Sequence, residues 1–159
     1  MNIKIICVGK LKEAYWRDAA AEYSKRLSRY CALQIDELKE ERLPDNASPA
    51  QEEKVKEAEG SAILRHIKAG TYVIALDVKG RPMSSEQLAQ KLGELPDQGK
   101  SDIAFLIGGS LGLSAEVLQR ADLRLSFSAM TFPHQMMRVI LLEQIYRGFK
   151  INKNETYHK

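Results

Sequence analysis

IAFLIGGSLGLS, residues 103–114, decides the fold class, because a wholly apolar strand runs directly into a glycine-rich turn. An uninterrupted apolar run predicts a strand that is buried on both faces, which is typical of a parallel sheet. The same pattern occurs in NIKIICV, residues 2–8, and in TYVIALDV, residues 71–78. Three such strands predict a sheet that is covered by helices on both sides.

Helical patterns separate these strands along the chain. Two further strands are predicted, CALQIDEL at residues 31–38 and LRLSFS at residues 123–128. The third buried strand is expected to end at Lys79-Gly80-Arg81-Pro82, and the polar segment 39–48 to form a long loop. Strands that alternate with helices predict an α/β fold with a mostly parallel sheet and helices on both faces, forming one domain over residues 1–159. The helices are expected at 14–27, 49–67, from Ser84 onward, 114–120 and 133–149.

The composition is that of a globular protein in which one core can form, with 44% hydrophobic and 28% charged residues among 159. No apolar run approaches the roughly 20 residues of a membrane-spanning helix. The first residues read as a strand and not as a signal peptide, so a cytoplasmic protein is expected. Cys7 and Cys31 are interpreted as packing residues. Three histidines and two cysteines without ligand spacing do not indicate a metal site.

Ligands of open α/β sheets collect beyond the carboxyl ends of the strands, so the turns after the strands are the first candidates for a site. Three turns qualify: Leu76-Asp77, 108–112 and 127–132. Taken alone, Gly108-Gly109 favours a tight turn over a ligand site, although glycines also let a ligand approach the backbone. Neither a phosphate-loop motif nor a G-x-G-x-x-G dinucleotide motif is present.

The segment 126–132, SFSAMTF, offers small hydroxyls, a methionine and two aromatic residues just before Pro133. Such a loop can supply backbone donors and acceptors beside an apolar wall, which is what an adenosine group needs. An ordinary connection between a strand and a helix explains the same residues equally well.

The helix at 133–149 carries apolar residues around more than one face. A helix with a surplus apolar face often packs against a second copy of itself, and we therefore predict a homodimer. The alternative is that earlier helices of the same chain cover this surface.

Positive charge is concentrated near the C-terminus, opposed by only Glu143 and Glu155, although the net charge of the chain is just +3. The cluster is a candidate surface for RNA phosphates, or alternatively an ordinary solvated surface. It contains Arg138, Arg147, Lys150, Lys153, Lys159, His134 and His158.

The LIGGSLGLS turn, the segment LSFSAMTFPHQMMRVILLEQIYRGFKI and the terminal TYHK together closely resemble the RlmH family. Its members are small, stand-alone methyltransferases of the SPOUT, or α/β-knot, superfamily. The resemblance covers essentially the whole chain, from IKIICVGKLKEAYW onward.

The resemblance implies a C-terminal trefoil knot that forms a pocket for S-adenosyl-L-methionine. General rules of chain topology would have excluded a knot. The implied cofactor residues fall in the three turns already identified as candidates. They are Leu76, Gly108, Phe127, Ser128, Ala129, Met130, Thr131 and Phe132.

The resemblance also implies the substrate, a pseudouridine in the helix 69 loop of 23S ribosomal RNA, which is methylated at ring nitrogen 3 on assembled ribosomes. His158 is the candidate to assist removal of the imide proton, because imidazole exchanges protons near neutral pH. Tyr157 could hydrogen-bond or stack on the base. Arg138, Arg147 and Lys153 are the candidate RNA contacts.

The C-terminal tail is expected to order only when RNA or a partner subunit arrives, so that one subunit binds the cofactor and the other subunit's tail completes the RNA site. Two other functions stay open, a ribosome-binding protein without catalysis and a methyltransferase that acts on transfer RNA.

Overall fold

A computed structural model describes residues 1–159 and contains one sheet of five strands in the order β2-β1-β4-β3-β5. Every neighbouring pair of strands is parallel, as predicted. The strands are β1 Asn2–Val8, β2 Ala32–Leu38, β3 Tyr72–Pro82, β4 Asp102–Ile107 and β5 Leu123–Ser126. The helices are α1 Ala14–Leu27, α2 Pro49–Arg65, α3 Ser85–Asp97, α4 Ala115–Arg120 and α5 His134–Asn152.

The apolar strands are buried on both faces, because alternate residues of each strand enter different hydrophobic clusters. In β4, Phe105 packs into the cluster beneath α1, α3 and α5, and its neighbour Leu106 packs into the cluster beneath α2 and α4. In β1, Ile5 and Ile6 divide in the same way. This alternation follows from the two-residue period of a strand, and it confirms the predicted helices on both faces.

β3 is longer than predicted. The motif Lys79-Gly80-Arg81-Pro82 does not end the strand, because pairing with β5 resumes at Arg81 after a register shift that follows Leu76. Leu125 of β5 pairs with both Leu76 and Arg81, so residues 77–80 bulge out of the ladder. Gly80 permits this bulge, since a Cβ there would lie 2.7 Å from the backbone of Arg124.

α5 begins one residue after Pro133, which precedes it as the N-cap, and it continues to Asn152, three residues beyond the predicted end. The extension is stabilised by the Asn152 side chain, which donates to the carbonyl of Ala89 at 2.8 Å. α1 and α3 both pack on α5. Earlier helices therefore cover much of its apolar surface, although Met136, Val139 and Ile140 are only half-buried.

Arg138 on α5 is a buried residue, with 1% of its surface exposed. Its guanidinium donates to Glu37 Oε2 at 2.5 Å and to the carbonyl of Gly9 at 2.9 Å, and its Nε has no hydrogen-bond partner. These contacts tie α5 to the ends of β1 and β2. The prediction that Arg138 contacts RNA is therefore wrong for this fold, because the paired guanidinium has no surface left to offer a phosphate.

Replacing Arg138 with alanine is expected to lower the free energy of unfolding by about 2 kcal/mol, below the full cost of breaking a buried pair because Glu37 is partly exposed. Urea unfolding measures the change. The matched control is Arg26→Ala, because Arg26 pairs with Glu22 on the surface of α1. We expect a loss of less than about 1 kcal/mol there, and equal losses in the two variants would contradict the structural role of Arg138.

No helix of the chain combines the length and the apolarity that crossing a membrane requires. The trefoil knot implied by the resemblance stays a prediction.

Candidate functional site

A cavity of about 480 Å³ lies beyond the carboxyl ends of β3, β4 and β5. Each of the three strands contributes one apolar residue to its lining, namely Leu76, Ile107 and Leu125. The rest of the wall comes from the β3 bulge, the turn after β4 and the loop after β5. This is the place where open α/β sheets bind ligands, and its volume falls in the range of roughly 300–1,000 Å³ that is usual for small-molecule sites.

Gly108 begins the turn that follows β4. A Cβ at this residue would lie 2.7 Å from the carbonyl carbon of Gly112, so only glycine allows the two backbone segments to approach. Gly112 adopts φ of +82° and donates its N–H to the carbonyl of Gly109 at 3.0 Å. The glycines form the tight turn that the sequence favoured. The same turn also lines the cavity, which was the alternative interpretation.

The bulge of β3 forms a second wall. Ser126 donates its hydroxyl to the carbonyl of Val78 at 3.1 Å or to that of Ser128 at 3.2 Å, which joins the bulge to the loop after β5. Asp77 accepts the backbone N–H of Lys79 at 3.0 Å and stabilises the bulge from within. The two loops are therefore fixed against each other on one side of the cavity.

The loop 127–132 closes the remaining side. Ser128 accepts the N–H of Met130 at 3.0 Å, and the Met130 side chain stays 72% exposed at the cavity. Ala129 was predicted as a cofactor residue but does not contribute to the lining. The other predicted cofactor residues all line the cavity, namely Leu76, Gly108, Phe127, Ser128, Met130, Thr131 and Phe132.

This lining suits a ligand that contains an adenosine group. Apolar side chains such as Ile107, Leu113 and Phe132 offer a surface for a flat ring. The glycines of the turn after β4 also line the cavity, and a ligand can approach their backbone closely because they have no side chain. The residues present therefore fit S-adenosyl-L-methionine in size and in chemistry.

Four charged or titratable residues line the same cavity. Asp77 belongs to one of the three predicted turns, whereas Lys79, Arg124 and His134 were not predicted there. Lys79 was missed because the β3 bulge was not predicted. His134 was counted only among the basic residues near the C-terminus, yet it follows Pro133 at the start of α5 and so stands at the end of the loop that closes the cavity. Its position directly after that loop could have identified it as a residue of the site.

Tyr157 and His158 do not reach the cavity of their own chain. His158 contacts Arg147, which lies ten residues after the cavity residue Met137 on α5, or about 15 Å along the helix axis. Arg147 has only donors, so Nδ1 of His158 accepts from it at 3.1 Å and Nε2 donates to Glu86 at 2.7 Å. Both ring nitrogens are engaged on the chain's own surface.

Tyr157 packs against α5 of its own chain through aromatic and charged side chains. Its ring meets Tyr146 edge to face with centroids 4.9 Å apart, the guanidinium of Arg147 stands 4.7 Å from its centroid, and its hydroxyl donates to Glu143 at 3.1 Å. Burial, followed by the charge of Glu143, raises the pKa of Tyr157 to about 12. The phenol is therefore a neutral hydrogen-bond donor near pH 7 and not a proton acceptor.

A difference titration of tyrosinate absorbance between wild type and Tyr157→Phe is expected to place this phenol near pH 12 instead of 10. The folded chain holds this proton to a higher pH than the unfolded chain, so the contribution to stability is complete below pH 10 and is lost as the pH rises through about 12. A midpoint at 10 would mean that the tail does not dock as described.

The remaining candidate RNA contacts differ in their surroundings. Arg147 pairs with Glu143 of its own chain at 2.7 Å and is partly buried, whereas Lys153 is exposed just after α5. No cluster of three or more His, Cys, Asp or Glu residues is arranged to hold a metal ion.

Sequence comparison finds close relatives over the full length of the chain. The family model described as "Predicted SPOUT methyltransferase" matches residues 1–158. Proteins named Ribosomal RNA large subunit methyltransferase H are 65% identical in Clostridium novyi (strain NT), 60% in Alkaliphilus oremlandii (strain OhILAs) and 58% in Clostridium beijerinckii. Each alignment spans 159 residues and the whole of both chains.

Solved structures resemble the fold at low sequence identity. A probable methyltransferase from Bordetella pertussis Tohama I gives a TM-score of 0.56 at 14% identity, over 93% of this chain and 96% of that chain. TrmJ from Z. mobilis ZM4 gives 0.50 at 16% identity, over 93% and 70% respectively. The fold agrees with the match to the family model, and the chain belongs to the SPOUT methyltransferase family.

Proposed function

We propose that this protein transfers a methyl group from S-adenosyl-L-methionine to 23S ribosomal RNA, at ring nitrogen 3 of a pseudouridine in the helix 69 loop of the assembled ribosome. The observation that carries the proposal is the full-length identity of 65% to a protein named Ribosomal RNA large subunit methyltransferase H. The cavity at the carboxyl edge of the sheet supplies a matching place for the cofactor.

The chain's own residues would hold the cofactor through three turns. Backbone groups of the Gly108 turn and of 127–132 are proposed to bond an adenine edge and ribose hydroxyls, and Leu76 and Phe132 to give apolar contact to the ring, because these segments line the cavity. Ala129 stays a proposed cofactor residue, although it does not line the cavity.

When bound, S-adenosyl-L-methionine supplies an electrophilic methyl group, so the protein's task is alignment and removal of the imide proton at nitrogen 3. His158 is proposed to accept this proton. Its free lone pair is on Nδ1, so it must first exchange the hydrogen bond that Nδ1 accepts from Arg147 for one to the base, while Nε2 keeps its proton and donates to Glu86. Tyr157 is proposed to contact the base through its ring or its hydroxyl.

The distance between His158 and the cavity favours a site that is shared between two chains. One chain would supply the cavity, and the tail of a second chain would supply Tyr157 and His158. The half-buried residues Met136, Val139 and Ile140 of α5 offer an apolar surface for such a homodimer. Val78 and Met130, both exposed at the cavity, offer further apolar surface at the site itself.

Lys153 is proposed to meet RNA phosphates, since it is exposed on the segment that leads into the tail. Arg147 is proposed to act beside it and would have to share its guanidinium with Glu143. Placing both residues next to the tail would keep phosphate contacts close to the reacting base.

The test is transfer of labelled methyl from S-adenosyl-L-methionine to ribosomes from cells that lack this protein, with free transfer RNA in parallel and mass spectrometry of the labelled nucleoside. We expect 3-methylpseudouridine from the helix 69 loop and no label on transfer RNA. Label on transfer RNA alone would move the substrate to that class. Cofactor binding without transfer to either RNA would indicate a ribosome-binding protein without catalysis.

A further inference from the structure

Glu59 is an acidic side chain buried beside the cofactor cavity, and the proposed reaction does not use it. It lies near the middle of α2 and is 4% exposed. Burial raises the pKa of its carboxyl group above the ordinary value. A buried carboxyl group without a salt bridge costs free energy unless its contacts offset the loss of hydration, so these contacts indicate what it does.

The carboxylate of Glu59 contacts two loops that come from different strands. Its Oε2 accepts the backbone N–H of Glu41 at 3.1 Å, in the loop that follows β2. It also lies against Gly109, since a Cβ on that glycine would be 3.3 Å from Oε1 and 3.4 Å from Oε2. One side chain thus spans the space between the β2 loop and the turn that lines the cofactor cavity.

The next residue of α2 supports the other end of the same turn. A Cβ at Gly60 would overlap Oγ of Ser114, the residue that caps α4 by accepting the N–H of Val117. Glu59 and Gly60 therefore form a platform beneath residues 109–114. Val8 Cγ1 also lies 3.3 Å from the Cβ position of Gly109. A separate cavity of about 350 Å³ has Glu59, Ser110 and Leu111 in its wall, so part of the outer side of the turn is not packed.

We infer that Glu59 is a positioning residue for the cofactor, which holds the 108–113 turn in its binding conformation by bracing Gly109 and anchoring Glu41. It acts from behind the turn, because Glu59 is absent from the lining of the cofactor cavity itself. The inference rests on the proposed cofactor site. Its structural part, the bracing of the turn, holds independently of any ligand.

The test compares three variants in the full-length protein. Glu59→Ala removes the brace, and Glu59→Gln keeps its shape and an oxygen that can accept from Glu41. Ile63→Ala is the matched control, because Ile63 is buried one turn further along α2 in the hydrophobic cluster beneath α2 and α4. Two readouts are needed, amide hydrogen exchange of the free protein and the Kd for S-adenosylhomocysteine by calorimetry.

For Glu59→Ala we expect exchange of the amides in 39–43 and 108–113 to rise about tenfold, with the sheet amides unchanged, and the Kd to rise about tenfold, the usual scale for one lost buried contact. Glu59→Gln should stay close to wild type in both readouts. Ile63→Ala should lower overall stability and leave the Kd within about twofold of wild type.

Unchanged exchange in both loops of Glu59→Ala would overturn the inference, as would an equal loss of affinity in Ile63→Ala or in Glu59→Gln. If wild type itself fails to bind S-adenosylhomocysteine, the proposed function fails, and the exchange result still decides whether Glu59 braces the turn.

Discussion

Replacing Gly108 with alanine is expected to weaken binding of S-adenosyl-L-methionine about 100-fold, measured as Kd by calorimetry. The new Cβ would lie 2.7 Å from the carbonyl carbon of Gly112, and a backbone atom cannot move aside as a flexible side chain can. Overpacking of this kind costs up to about 3 kcal/mol, which corresponds to about two powers of ten in Kd. The loss should fall on the binding site, because the surface turn can open while the sheet stays intact.

Gly93→Ala is the matched control for this variant. Gly93 lies on the exposed side of α3, and its Cβ would approach only the side-chain amide of Asn152, at 3.3 Å. Alanine also favours the helix by about 1 kcal/mol. The control should therefore keep both the affinity and the fold. An affinity of folded Gly108→Ala within twofold of wild type would show that this turn does not hold the cofactor.

Replacing His158 with alanine is expected to lower the single-turnover rate of methyl transfer on ribosomes about 100-fold or more, which is the usual contribution of a general base. The Kd for the cofactor should not change, because His158 is proposed to contact the base and is not among the residues that line the cofactor cavity. A loss of rate without a loss of affinity separates proton transfer from cofactor binding. Rapid-quench kinetics at saturating cofactor measures the rate.

Lys159→Ala is the control for the tail, since it alters the neighbouring exposed residue and leaves the contacts of His158 with Arg147 and Glu86 in place. It should react within about twofold of wild type. If His158→Ala keeps the full single-turnover rate, the catalytic assignment is wrong. His134 would then be the residue to test, because it is the histidine that lines the cavity.

The parts of the fold that the sequence predicts best are those governed by local pattern. The apolar runs of β1 and β4 predict buried parallel strands, since a strand that is covered by helices on both faces is hidden from water along most of its length. The end of α5 was predicted less accurately, because the last turn depends on a hydrogen bond from Asn152 to Ala89 on α3, and only the tertiary structure provides this contact. The bulge of β3 was not predicted either, because it arises from the register shift in the pairing of β3 with β5.

In the candidate site, too, only the parts that follow from local sequence pattern could be predicted. The turn at Gly108 could be located because it ends a buried strand, and ligands of this fold class bind at strand ends. The role of Arg138 could not be predicted from the sequence, because the sequence does not show whether an arginine near a basic cluster is exposed or is buried against Glu37. The position of His158 relative to the cavity likewise depends on how α5 and the tail pack.

The activity of a mixed dimer, in which one chain carries Gly108→Ala and the other His158→Ala, tests directly whether two chains share one site. Different affinity tags and two successive purifications yield this dimer free of either parent. A shared site predicts about half of wild-type methylation on ribosomes, because one cavity and one tail stay intact across the dimer. With the cofactor kept below the Kd of Gly108→Ala, each parent homodimer should have little activity, since one binds the cofactor weakly in both cavities and the other lacks His158 in both tails. A mixed dimer that is as inactive as its parents would contradict a site built from two chains.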